Sequence, residues 1–89
     1  MNAIVTVVGS DQVGIIAKVS AFLSGHGINI ADITQTVLSG NFVMMMMVDL
    51  SASDLPMDEC KKGLAALGDE IGISVSVMHE RVFSAMHRI

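Results

Sequence analysis

A chain of 89 residues with net charge -4, five basic side chains and neither Trp nor Tyr lacks the basic stripe and stacking aromatics that nucleic-acid binding needs. With 52% of residues hydrophobic and 16% charged, it holds more apolar material than one modest core uses, because a chain this short hides only about 60–65% of its unfolded surface. The excess reads either as a rich core with ordinary apolar leakage onto the surface, or as a domain that finishes burying itself against a second copy.

One domain over residues 1–89 is expected. The lone cysteine, Cys60, has no internal disulfide partner and suits a small core filler. The opening MNAIVTVVG has no charged n-region, and no apolar run approaches the ~20 residues of a bilayer span. A reduced, cytoplasmic protein is therefore expected, with no membrane and no nucleic acid among its partners.

In chain order, AIVTVV (3–8) is β-branched and compact, a first strand. Gly9-Ser10-Asp11-Gln12 follows, then a segment in which Ile16, Val19, Ser20 and Leu23 recur at helical spacing, with Ile15 and Phe22 widening the stripe. This predicts a helix over about 12–25, with Asp11 as its N-cap and Gly25 or Gly27 ending it. INIADITQTVL (28–38) mixes β-branched and polar residues, a second strand. Ser39-Gly40-Asn41 is a hairpin signal, and FVMMMMVDL is the third strand. Asp54 or Ser53 is placed to cap a second helix, with Pro56 in its first turn and Asp58 and Glu59 at the positive end of its dipole. Met57, Cys60, Leu64, Leu67 and Ile71 form that helix's stripe, and Gly72 closes it. ISVSVMHE (73–80) is a fourth strand, and Val82, Phe83, Met86 and Ile89 suggest a short C-terminal helix.

The order is βαββαβ. Right-handed crossovers put both helices on one face of a four-stranded antiparallel sheet, the ferredoxin-like α+β sandwich. The other face is then open, and the Thr and Ser sets of the first and fourth strands suit it. Met44 to Met47 break the pattern, since alternation sends two methionines to each face. A partner surface, the C-terminal segment, or plain half-exposure would account for the second pair.

Catalysis finds little support. The serines lack a partnered base, the carboxylates sit at helix ends and turns, and no GxSxG, HExxH, phosphate-binding loop or paired-cysteine motif occurs. No cofactor is implied. His26, His79 and His87 are an element or more apart; they could meet only if the tail folds back or a second subunit adds ligands, and surface or core roles are the ordinary reading, so no metal is expected. The best constellation is GSDQVGI with GINI. Gly14 has no side chain, so a backbone or ligand can approach closely. Free N–H groups at the helix start favour an anion. Asp11 can cap or accept from an ammonium group, and Asn29 offers a donor and an acceptor. The same residues also fit a purely structural role, with Asp11 capping, Gly14 packing and Asn29 shaping a turn.

The stretch SDQVGIIAKVSAFLSGHGINIADITQ resembles the opening of an ACT domain: a short strand, D-x-x-G with two aliphatics, a helix, then G-h-N-I and a strand. The resemblance extends over the whole chain through the βαββαβ order, and the length and ending VFSAMHRI resemble small stand-alone bacterial ACT-domain proteins. It implies a non-catalytic regulatory module that binds a small molecule, often an amino acid, between two domains paired side by side as a homodimer. It further implies ligand contacts from Asp11, Gln12, Val13 and Gly14, with Asn29 and Ile30 offered by the neighbouring subunit. Val13 stands where many members have Pro, and Gly9 supplies no side chain where some amino-acid sensors place a polar contact. The alternative is a protein–protein interaction module without a ligand, docking a client through the Met-rich strand or the C-terminal tail.

Overall fold

The computed structural model describes residues 2–82. Six elements follow one another: β1 (Asn2–Gly9), α1 (Gln12–Gly25), β2 (Asn29–Leu38), β3 (Asn41–Asp49), α2 (Met57–Ile71) and β4 (Ser74–His79). The strands form one antiparallel sheet in the order β2-β3-β1-β4, with β3 and β1 in its middle and β2 and β4 at its edges. This is the expected ferredoxin-like arrangement. Helical backbone begins again at residues 80–82; the remainder of the expected C-terminal helix lies outside the described residues.

Local signals explain most boundaries. The Asp11 carboxylate accepts from Gly14 N–H at 3.0 Å, a side-chain N-cap for α1. At the other end Ile28 N–H reaches Leu23 O at 2.9 Å and Gly27 N–H reaches Ser24 O at 3.2 Å, with Gly27 at φ +69°. That is a Schellman ending, so Gly27 rather than Gly25 stops the helix. The β2–β3 hairpin turns on Ser39 and Gly40, both at positive φ (52° and 77°), as a two-residue hairpin of right-handed twist requires. For α2 the N-cap is Pro56 and no side chain caps it. Ser53 Oγ accepts instead from Leu55 N–H at 3.0 Å, and Asp54 Oδ1 lies 3.0 Å from His26 Nδ1. The expected cap by Asp54 or Ser53 is thus replaced by a tie between the two loops at one end of the molecule, reinforced by Asp54 N–H donating to His26 O at 3.2 Å.

The core lies between sheet and helices. Ala3, Val5 and Val7 of β1, Met44, Met46 and Val48 of β3, Ile15, Val19 and Leu23 of α1, and Cys60 and Leu64 of α2 are all buried. Ile16, expected in the α1 stripe, is exposed; the apolar stripe is centred one residue earlier, on Ile15, and Phe22 closes the helix–helix seam against Gly63. A methyl group at Gly63 would stand 2.5 Å from the tip of the Phe22 ring, so the ring in its present position occupies the space that a side chain there would take.

The methionine row divides by alternation. Met44 and Met46 face the helices and are buried, and Met45 and Met47 are half-buried on the open face. There, Met47 stands across from Ile4, and Ile4 across from Met78. Met45 stands across from Thr6, and Thr6 across from Ser76. The Thr and Ser sets therefore do form the open face, with a methionine-flanked Ile4 that is only 6% exposed.

Candidate ligand-binding site

The β1–α1 turn carries four of the expected contacts. Asp11, Gln12 and Val13 are exposed, Val13 at 78%, and Gly14 is half-buried. Gly14's open side is already used: a Cβ there would lie 2.6 Å from Asp11 Oδ2. The residue that approaches Gly14 is thus Asp11 itself, as the structural role foresaw. That role does not consume the turn, because Asp11 Oδ1 takes the Gly14 N–H and the carboxylate remains at the surface. Gly9 is closed to any side chain: a Cβ would meet Ile73 Cγ2 at 2.6 Å and Ile15 Cδ1 at 2.9 Å. The missing polar contact at position 9 therefore has a packing cause.

Asn29 and Ile30 begin β2, and both are exposed. Register fixes where they are. Gly9 is level with Phe42, whereas Asn29 is level with Asp49, seven residues further along β3. At about 3.3 Å per residue the two groups are roughly 23 Å apart. One chain does not bring them together. Next to Asn29 and Ile30 a groove of about 500 Å³ opens between β2 and the second half of α1, lined also by Ser20, Leu23, Ser24 and Ile28. Asp49, directly across from Asn29, has its carboxyl held below the usual range, first by the Ser51 hydroxyl and then by the Ser51 amide.

All ten residues of β2 are exposed, on an edge strand. Ile30, Ile33, Val37 and Leu38 present large apolar side chains to the surface. Sequence reasoning gave β2 its place but not this exposure. Its mixed composition was the available signal.

Among the described residues no three His, Cys, Asp or Glu side chains are grouped so as to hold a metal ion. His26 is engaged with Asp54, and His79 Nδ1 accepts from Arg81 N–H at 3.0 Å; His87 lies outside the described residues. No described helix is long and apolar enough to cross a membrane. Burial pushes the Cys60 thiol up, consistent with a packing role.

A model of the ACT domain matches residues 2–78. The chain belongs to the ACT domain family. A UPF0237 protein of Methanopyrus kandleri is 47% identical to this ACT domain over 88 residues, covering 99% of this chain and 98% of that one. A UPF0237 protein of Listeria innocua is 43% identical over 89 residues, with both chains covered in full (100%). Among solved structures, an ACT domain protein from Streptococcus pneumoniae superposes with a TM-score of 0.82 at 36% identity, covering 93% of each chain. The regulatory subunit of aspartate kinase from Thermus flavus is similar at 27% identity and a TM-score of 0.65, over 88% of this ACT domain and 51% of that chain.

Proposed function

We propose that the protein is a non-catalytic regulatory module that binds a small molecule, an amino acid, between two copies of itself. The observation that carries this reading is the separation of the two contact groups together with the bare edge between them. Val37, near the end of β2, is level with Phe42 and hence with Gly9, and Leu38 follows it across from Asn41. Antiparallel pairing of β2 with a second β2 sets the start of one strand beside the end of the other. It therefore carries the partner copy's first β2 residues toward the Asp11 turn, and it covers apolar side chains that one chain leaves in water. Regulation is supported by likeness to the regulatory subunit of aspartate kinase.

In such a site the unbonded N–H groups of the first turn of α1 suit a carboxylate, and the Asp11 carboxylate suits an ammonium group. Asn29 and Ile30 of the second copy close the crevice. A ligand held by both copies favours the associated state by mass action, and a separate protein client would read that state.

Isothermal calorimetry against the twenty amino acids, with sedimentation in parallel, tests the reading. One amino acid should give saturable heat and tighten the dimer, and Asn29→Ala should abolish that heat. A dimer that shows no heat and no thermal shift with any of them removes the ligand. A well-folded monomer at micromolar concentration removes the site.

A further inference from the structure

The open face of the sheet, away from the Asp11 turn, contains a hollow of about 200 Å³. Ile4, Met45 and Met47 line it together with Asp32 and Thr34, and Ile33 and Met46 complete the lining. For scale, a dry cavity of about 150 Å³ accommodates benzene. Asp32 is directly across from Met47, and Thr34 directly across from Met45.

A break in strand register puts the carboxylate there. Asn29 and Ile30 pair with Asp49 and Val48, but Asp32, not Ala31, pairs with Met47. Ala31 is the extra residue of a β-bulge. Without it, alternation from Asn29 would turn Ile33 to the open face and send Asp32 and Thr34 to the helix side. Bulges of this kind re-aim side chains, and this one brings an acid and a hydroxyl to a methionine-lined surface. The Asp32 carboxylate is steadied by its neighbour: Oδ1 accepts from Ile33 N–H at 2.9 Å. Among the described residues no cation pairs with it.

A carboxylate beside thioether and aliphatic walls fits a guest with a charged donor at one end and an apolar body at the other. Methionine adapts to varied shapes and makes favourable sulfur–aromatic contacts. We propose that this hollow binds a small primary amine with an apolar, preferably aromatic, body, its ammonium on Asp32 and its body against Met45, Met47 and Ile4. The described lining offers no cationic side chain to a carboxylate, which separates this guest from a free amino acid at the Asp11 turn. The site does not rest on pairing of two copies.

The test is titration of 2-phenylethylamine into the full chain, followed by backbone amide NMR. Saturable shifts are expected at residues 32–34 and 45–47, not in the 9–14 turn. Asp32→Asn should weaken binding about tenfold or more, the scale of a charged hydrogen bond. Asp32→Glu, which keeps the charge, should retain most of it, and 2-phenylethanol should bind the parent protein as weakly as the amine binds Asp32→Asn. The proposal is overturned by an absence of saturable shifts at those residues, by Asp32→Asn binding as tightly as the parent, by equal losses in the Asn and Glu variants, or by 3-phenylpropionate binding as well as the amine.

Discussion

Gly9 shows how one absent side chain shapes the candidate site. Its Cβ position is filled by the branched methyl of Ile73 and the tip of Ile15, so Gly9→Ala overpacks the core end of β1. The expected cost is about 1–3 kcal/mol, read as a lower urea midpoint with an unchanged slope. The cap at Asp11 was legible in the sequence, because D-x-x-G before an apolar stripe is a local signal and both partners lie within three residues. The closure of Gly9 was not, because Ile73 is more than sixty positions away in the chain. Asp54 misled for the same reason: it sits at a helix start but is engaged by His26 from another loop. Asp49 makes a pH prediction. Its folded pKa lies below the ordinary 3.8, with the Ser51 hydroxyl the largest cause. The unfolded chain therefore binds the proton more readily, so this stabilisation is present above the ordinary value and is lost as pH falls through the folded one. Ser51→Ala should make unfolding less sensitive to acid in that window, as followed by thermal melts across pH.

At the scale of elements, the methionine strand separates two kinds of burial. Met46 is 1% exposed between sheet and helices, and Met46→Ala should cost about 2–5 kcal/mol. Met47, half-buried on the open face, should cost under about 1.5 kcal/mol on the same change, since it recovers only part of a methionine's transfer energy. Denaturant titration of the two variants checks the alternation. Strand and helix order, and the sorting of Thr and Ser to the open face, were legible because period 2 and period 3.6 are written in short windows. The bulge at Ala31 was not: NIADITQTVL alternates acceptably in either phase, and only pairing with β3 fixes which one holds. The exposed edge makes a further prediction. Val37 is 68% exposed, so Val37→Lys should alter chain stability by no more than about 0.5 kcal/mol. It should nonetheless shift sedimentation toward the monomer, because a charge on an apolar edge opposes strand pairing.

For the molecule as a whole, Cys60 is a built-in reporter. It is fully buried, and its thiol titrates above the usual value. Labelling by a thiol reagent should therefore be slow in the native protein and track global unfolding as urea is raised; fast labelling without denaturant would show that α2 opens locally. The fold was legible at this scale because six elements of ordinary length admit few connections. The proposed binding site was legible only as two lists of residues, since nothing local says that the Asp11 turn and Asn29 lie at opposite ends of the sheet. That opposition has a genetic consequence. On the two-copy reading, Asp11→Ala and Asn29→Ala each damage both crevices of their own homodimer. A hybrid of one subunit of each kind would concentrate both lesions in one crevice and leave the other wholly native. Two inactive preparations, unfolded and refolded together, should then regain binding at half the stoichiometry of the parent in every hybrid formed.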